Sequence, residues 1–256
     1  MSKRAPFLLI ALAMLLLTSL AASAQQQPLP FTYVSEWTIP RAQWDDYESF
    51  NKKNTQPILE KLMADGTITG WGFYATNVHD ESGITHGNWF EASSIANIEK
   101  ALDALTKVAR NPILNTSGKH RDYLVRSQVR GAKPASGTNG YLWVNYTQLR
   151  PGKAEEWRAL FDKYIKSLLD GLVNDGSFIS YEVDAEVVHT DNPDGIYLVY
   201  VAPNAAGIDK FLAAVGARMG QGTPEERRAF SEAYAATTVP DAHRDLFARV
   251  LNYAVK

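Results

Sequence analysis

The chain has 256 residues and no cysteine, which excludes disulfides, thiolate metal sites, a cysteine nucleophile and lipid attachment through cysteine. Lysine and arginine number 26 against 28 aspartates and glutamates, and this net charge of −2 offers nucleic acid no basic surface. With 45% hydrophobic residues, the length allows one large core or two small ones.

At the start, Lys3 and Arg4 precede an apolar run from Phe7 to Leu17, and Ala22-Ser23-Ala24 stands before three glutamines. That pattern predicts a cleavable secretory leader over residues 1–24 and a periplasmic or secreted chain beginning near Gln25. As a membrane anchor the run is short for a bilayer of about 30 Å, and no later stretch approaches that length.

The rest of the chain repeats. A shift of 110 residues aligns residues 31–105 with 141–215 without a gap, pairing Val34 with Val144, Leu59 with Leu169, Asp65-Gly66 with Asp175-Gly176, and His79 with His189. His120-Arg121-Asp122 with Arg126 is echoed by His243-Arg244-Asp245 with Arg249, after a 13-residue insertion in the second copy. Each copy predicts the same elements. A short strand (Thr32 to Thr38; Leu142 to Gln148) leads into an amphipathic helix, clearest in the spacing of Trp157, Leu160, Phe161, Tyr164, Ile165, Leu168, Leu169 and Leu172. In the first copy Pro57 should kink or split that helix. Asp-Gly closes both helices, and a hairpin with an Asp-, Asn- and Gly-rich turn follows. A second helix begins near Ser93 or Asn204, and a last strand runs from Tyr123 to Val129 or from Leu246 to Ala254. The units are therefore expected over residues 25–130 and 141–256. Residues 131–140, which lack apolar periodicity, are expected as a linker, and 216–242 as a helical insertion starting at Thr223-Pro224-Glu225-Glu226.

Strand, helix, two strands, helix, strand is the ferredoxin-like order, an α+β arrangement with helices on one face of an antiparallel sheet. Two such βαββαβ units can cover each other's bare faces, sheet against sheet, as a pseudo-dimeric α/β barrel. On this order, and on the strand-turn-helix start Leu149-Arg150-Pro151-Gly152-Lys153-Ala154-Glu155-Glu156-Trp157, the chain resembles the dimeric α/β-barrel superfamily in tandem single-chain form. The first copy, Ile39-Pro40-Arg41-Ala42-Gln43-Trp44, lacks the Pro-Gly pair. The resemblance implies the fold and a range of chemistries: cofactor-free monooxygenases, isomerases and haem-dependent enzymes. A haem reading would need His79, His189 or His86 as proximal ligand.

Candidate site residues come from alternation along the strands. With Val34 and Val144 facing the helices, Tyr33, Ser35 and Trp37, with Trp143, Asn145 and Thr147, should look into the space between the sheets. That set suits either a pocket for a small organic ligand or ordinary aromatic sheet packing. Four of the five histidines form matched pairs across the repeat. His79 and His189, each before an acidic turn, are candidate bases, relays or metal ligands, or strand-end histidines bonded to turn carboxylates. His120 and His243, with Arg126 and Arg249, form either an anion clamp or an ion-paired junction. Glu182, Asp184 and Glu186 share one strand face, as a hard-cation site or as a solvated face. No phosphate loop, dinucleotide fingerprint, HExxH zinc pattern or triad spacing is present, and no motif specifies a metal or a cofactor. The leading expectation is an exported small-molecule-binding protein with its pocket between the sheets. An enzyme, or an interaction or stress-related module without a small ligand, is the alternative. Pairing within one chain allows a monomer without forbidding a homo-oligomer.

Overall fold

A computed structural model describes residues 29–78, 83–108, 111–188 and 194–256. The expected leader over residues 1–24 and both His79 and His189 lie outside the described residues. The first unit comprises β1 (Phe31–Trp37), α1 (Trp44–Phe50), α2 (Gln56–Ala64), β2 (Gly70–Thr76), β3 (His86–Ala92), α3 (Ile95–Thr106) and β4 (His120–Ala132). The second comprises β5 (Ala135–Gln148), α4 (Ala154–Tyr164), α5 (Lys166–Asn174), β6 (Ser180–Glu186), β7 (Gly195–Ala202), α6 (Ala205–Gly220), α7 (Pro224–Thr237) and β8 (Arg244–Val255).

Local chemistry accounts for the element ends. Gly66 and Gly176 both adopt φ of 80°, the left-handed conformation that ends a helix at little cost only for glycine. Thr223 and Glu226 cap α7 reciprocally, each side chain taking the other's backbone N–H. The expected interruption at Pro57 takes the form of a π-helical turn, Asn51–Thr55, in which the Gln56 N–H bonds back to the Asn51 carbonyl. Proline lacks a donor and crowds the preceding turn, and a widened turn relieves both without breaking the helix.

The strands follow the order β4-β1-β3-β2 in the first unit and β8-β5-β7-β6 in the second, all antiparallel. The two sheets also join at their edges, β2 to β8 and β4 to β6, so eight strands close into one barrel with the helices outside. Closure satisfies every edge and removes the exposed backbone ladder that each unit would present alone.

Two expectations are corrected. Residues 131–140 are almost wholly strand: β4 runs to Ala132, β5 begins at Ala135, and Ala135 to Gly140 pair with Val255 to Val250. The segment looked like a linker because of its glycines, which lie under aromatic rings; a Cβ on Gly131 would sit 2.4 Å from the Tyr181 ring. The assigned faces are also inverted. Val34 and Val144 point into the barrel, with Leu142, Val201 and Val250. Tyr33 instead packs outward against the cluster of Leu59, Leu62, Phe90 and Ile98 beneath the helices. Period two separates the sides of a strand but cannot label them when both are covered, and β2 and β6 are each buried at six of seven positions.

The barrel interior holds charge as well as hydrocarbon. Glu182, Asp184 and Glu186, expected on a solvated face, are 5%, 2% and 6% exposed and point inward. A β-bulge between Ser127 and Val129 turns Arg130 to the same side, where its Nη2 meets Glu91 at 2.7 Å and its Nε meets Glu182 at 2.9 Å. Among the described residues no set of acidic or histidine side chains is arranged to hold a metal ion.

Candidate functional site

The space between the sheets, where the pocket was expected, is packed, leaving a void of about 50 Å³ lined by Val34, Trp89, Leu142, Val199 and their neighbours. That is room for a water or two, not for an organic ligand, since ligand sites run from about 300 to 1,000 Å³. A cleft of about 570 Å³ lies instead on the outer side of the first sheet, beneath α1, α3 and the turn Pro112–Asn115.

Its floor is the outward face of three strands. Tyr33, Ser35 and Trp37 come from β1, Asn88 and Phe90 from β3, and His120 and Asp122 from β4. Its walls are Tyr47 and Phe50 of α1, Leu102 and Leu105 of α3, and Asn51 and Thr55 from the two ends of the π-helical turn. The widened turn at Pro57 therefore supplies two of the polar groups in the cleft, in keeping with the tendency of such turns to fall at functional positions.

The floor is tied together. His120 stacks on Trp37 with centroids 3.5 Å apart, and its Nε2 lies 2.9 Å from Asp122 Oδ1 and 3.2 Å from Ser35 Oγ. Trp37 Nε1 donates to Ser35 Oγ at 3.0 Å. Serine and aspartate meet the same ring nitrogen, so the cluster is not a relay of the triad type, which needs one partner on each nitrogen. Burial, with Asp122 beside it, raises the Tyr33 hydroxyl well above the ordinary phenol range, and burial pushes Tyr47 up to about 12, so both stay protonated donors. His120 is held in place by a carboxylate, a serine hydroxyl and a stacked indole.

The matching cluster in the second unit converges on Asp245 instead. Trp143 Nε1 and Asn145 Nδ2 each donate to Asp245 Oδ1 at 3.0 Å, and Asn145 Nδ2 lies 2.6 Å from His243 Nε2. The sequence-derived set thus divides into two clusters, one on the outer face of each unit: Tyr33, Trp37 and His120 on the first, Trp143, Asn145 and His243 on the second. Arg126 and Arg249 are exposed and do not line the cleft; Arg126 lies 5.1 Å over Phe31.

Above the second cluster the polar groups are gone. Asn51, Thr55 and Asn88 correspond to Phe161, Ile165 and Leu198, which pack in or against the core containing Trp157, Phe178, Tyr200 and Phe211. The inserted α7 adds to this side, with Phe230 against Tyr164 at 4.7 Å and Tyr234 Oη 3.5 Å from Thr147 Oγ1. Sequence reading missed Asn51, Thr55 and Asn88, although their signal was in the repeat: at these aligned positions one half is polar and the other apolar.

No protein-family model matches this chain, and no curated protein matches it in sequence. Solved structures do. A candidate monooxygenase from Lactobacillus acidophilus NCFM superimposes with TM-score 0.61 at 12% identity, covering 89% of this chain and 96% of its own. A candidate monooxygenase from Fusobacterium nucleatum gives 0.62 at 11% identity, covering 90% and 95%. An anthrone oxidase-like protein gives 0.53 at 11% identity, covering 90% and 94%. The class is thereby defined: this chain has the dimeric α/β-barrel fold, with both halves of the pseudo-dimer in one polypeptide.

The haem alternative can be tested at His86. Its side chain is fully buried, with Nδ1 3.0 Å from Thr85 Oγ1, Nε2 3.4 Å from Glu48 Oε1, and Trp44 and Tyr47 edge-on at 5.0 Å. Neither ring nitrogen is presented to a space that would take a porphyrin, so His86 does not fit an axial ligand.

Proposed function

We propose that this chain is an exported small-molecule-binding protein whose ligand, a small organic molecule with a planar part, lies in the cleft between the first sheet and helices α1 and α3. The observation that carries this reading is the asymmetry of the duplicated units. The first keeps a cleft of about 570 Å³ in which Asn51, Thr55 and Asn88 face aromatic and aliphatic walls. The second carries phenylalanine, isoleucine and leucine at the same positions. Asn51, Thr55 and Asn88 are half-buried, with Thr55 Oγ1 donating to Asn51 Oδ1 at 3.4 Å, and a few polar groups among apolar walls are what orients a bound organic ligand. An enzymatic reading is favoured by one feature, the His120–Asp122 pair at 2.9 Å on the cleft floor, and agrees with the oxygenase and oxidase names of the structural neighbours. The barrel closes within one chain, so neither reading needs a second copy.

Asn51→Phe combined with Asn88→Leu gives the cleft the residues of the second unit. In a thermal-shift screen of neutral phenols, quinones and indoles, the wild-type chain should gain stability from at least one compound, about 2.7 kcal/mol at a hundredfold excess over its Kd. The double variant should melt no lower than wild type and lose that gain; an unchanged ligand response in the variant would refute the site. Export has its own check. Intact-mass measurement of protein recovered from the periplasm or medium should show a chain starting near Gln25, and a retained Met1 would remove the leader.

A further inference from the structure

The mouth of the barrel, a cavity of about 620 Å³ separate from the cleft, is asymmetric in charge. In the first half Arg121 at the start of β4 stands opposite Glu36 on β1 and binds its carboxylate through Nη2 at 2.5 Å and Nε at 3.1 Å. Tyr74 and Tyr123 also donate to Glu36, at 2.8 and 3.3 Å. On the neighbouring β6, Glu186 accepts from Tyr197 at 2.8 Å.

The repeat places Arg244 at the start of β8, opposite residue 146 of β5, as Arg121 is opposite Glu36. Here both acids are replaced: the counterpart of Glu36 is Tyr146, and that of Glu186 is Thr76. The Arg244 guanidinium lies 4.8 Å from the Tyr146 ring centroid and, among the described residues, forms no ion pair. Asp245, next in sequence, is bonded to Trp143 and Asn145 on the outer face. Tyr146 and Thr76 line this mouth, each 6% exposed; Arg244 interacts with the Tyr146 hydroxyl, and neither buried hydroxyl has an acceptor among the described residues. A cation without its carboxylate and two buried hydroxyls without acceptors are the complement of one missing group.

We propose that the barrel mouth binds a small organic carboxylate. Its carboxylate takes the place that glutamate holds in the first half, accepting from Arg244 and from the Tyr146 and Thr76 hydroxyls. Its apolar body lies against Tyr197, Val144 and Leu246. A guanidinium and two hydroxyls select an anion over a neutral isostere, because a charged acceptor strengthens each bond.

Isothermal titration with benzoate and with benzamide tests the site. Wild-type protein should bind benzoate in the micromolar to millimolar range and benzamide far more weakly. Arg244→Gln, at an exposed position, should weaken benzoate binding roughly 10- to 100-fold. Tyr146→Glu, which installs the first half's own carboxylate, should remove it while the melting temperature is kept. The Asn51→Phe, Asn88→Leu variant, filled only in the cleft, should bind benzoate as wild type does. Absence of benzoate binding, equal binding of benzamide, binding that survives in Arg244→Gln or Tyr146→Glu, or loss in the filled-cleft variant would each overturn the proposal. The cleft reading is judged separately, on neutral compounds.

Discussion

Replacing Arg130 by methionine should destabilise the protein by about 3–5 kcal/mol at pH 7.5, among the largest losses any single side chain here can cause. The guanidinium sits inside the barrel with its side chain 14% exposed and bridges Glu91 on β3 to Glu182 on β6, at 2.7 and 2.9 Å. It therefore ties the first sheet to the seam where β4 and β6 close the barrel. Methionine matches much of its length but leaves two carboxylates, 4% and 6% exposed, without a cation. Such charges cost far more unpaired than paired, whereas exposed pairs such as Arg228–Glu232, with side chains 78% and 70% exposed, contribute little. Urea denaturation at pH 7.5 and pH 5 measures the effect. The loss should shrink at pH 5, below the value of about 7 to which burial and Glu182 raise Glu91. A loss below about 1 kcal/mol at pH 7.5 would show that water already reaches this cluster.

The architecture was legible because it is written twice. The alignment at a shift of 110 residues set the element order and the Asp-Gly ends, the start Thr223-Pro224-Glu225-Glu226 set the inserted helix, and these depend on local chemistry that one sequence carries. What was not legible depends on curvature and on distant partners. Whether Tyr33 or Val34 faces the barrel axis is decided by how the sheet bends, and both have apolar neighbours. Glu182, Asp184 and Glu186 alternate as a solvated face would, and only Arg130, some fifty positions earlier and aimed by a bulge, shows that they are inside. Glycines 131 and 137 resembled a linker because the rings of Tyr181 and Tyr253 that cover them are far along the chain. The cleft was half visible: the Trp37 and Ser35 positions were marked, on the wrong side of the sheet, and His120 was marked without a side. Asn51, Thr55 and Asn88 needed the repeat to be read for its differences as well as its identities.

The same buried cluster sets the pH response of the whole fold. One guanidinium cannot balance Glu91, Glu182 and Asp184. Burial first, and the Glu182 carboxylate second, push Asp184 well above the usual carboxylate range, and the same two causes outweigh Arg130 to raise Glu91 from 4.5 to about 7. A carboxyl raised on folding binds its proton more tightly in the folded state than in the unfolded one. Stability from these groups is therefore full below the unfolded value near 4 and falls as pH rises, through about 7 for Glu91 and further for Asp184. The wild-type chain should accordingly unfold at lower urea at pH 8 than at pH 5. Asp184→Asn keeps the shape, removes the charge and gives a donor to a site that holds Glu91 and Glu182. One Asp184 oxygen is buried without a hydrogen-bond partner among the described residues, so the variant should gain about 1–3 kcal/mol at pH 8 and lose Asp184's share of the decline between pH 5 and pH 8, while Glu91's share stays. A variant less stable than wild type at pH 8, or one that keeps the full decline, would mean that Asp184 is ionised and satisfied in the folded barrel.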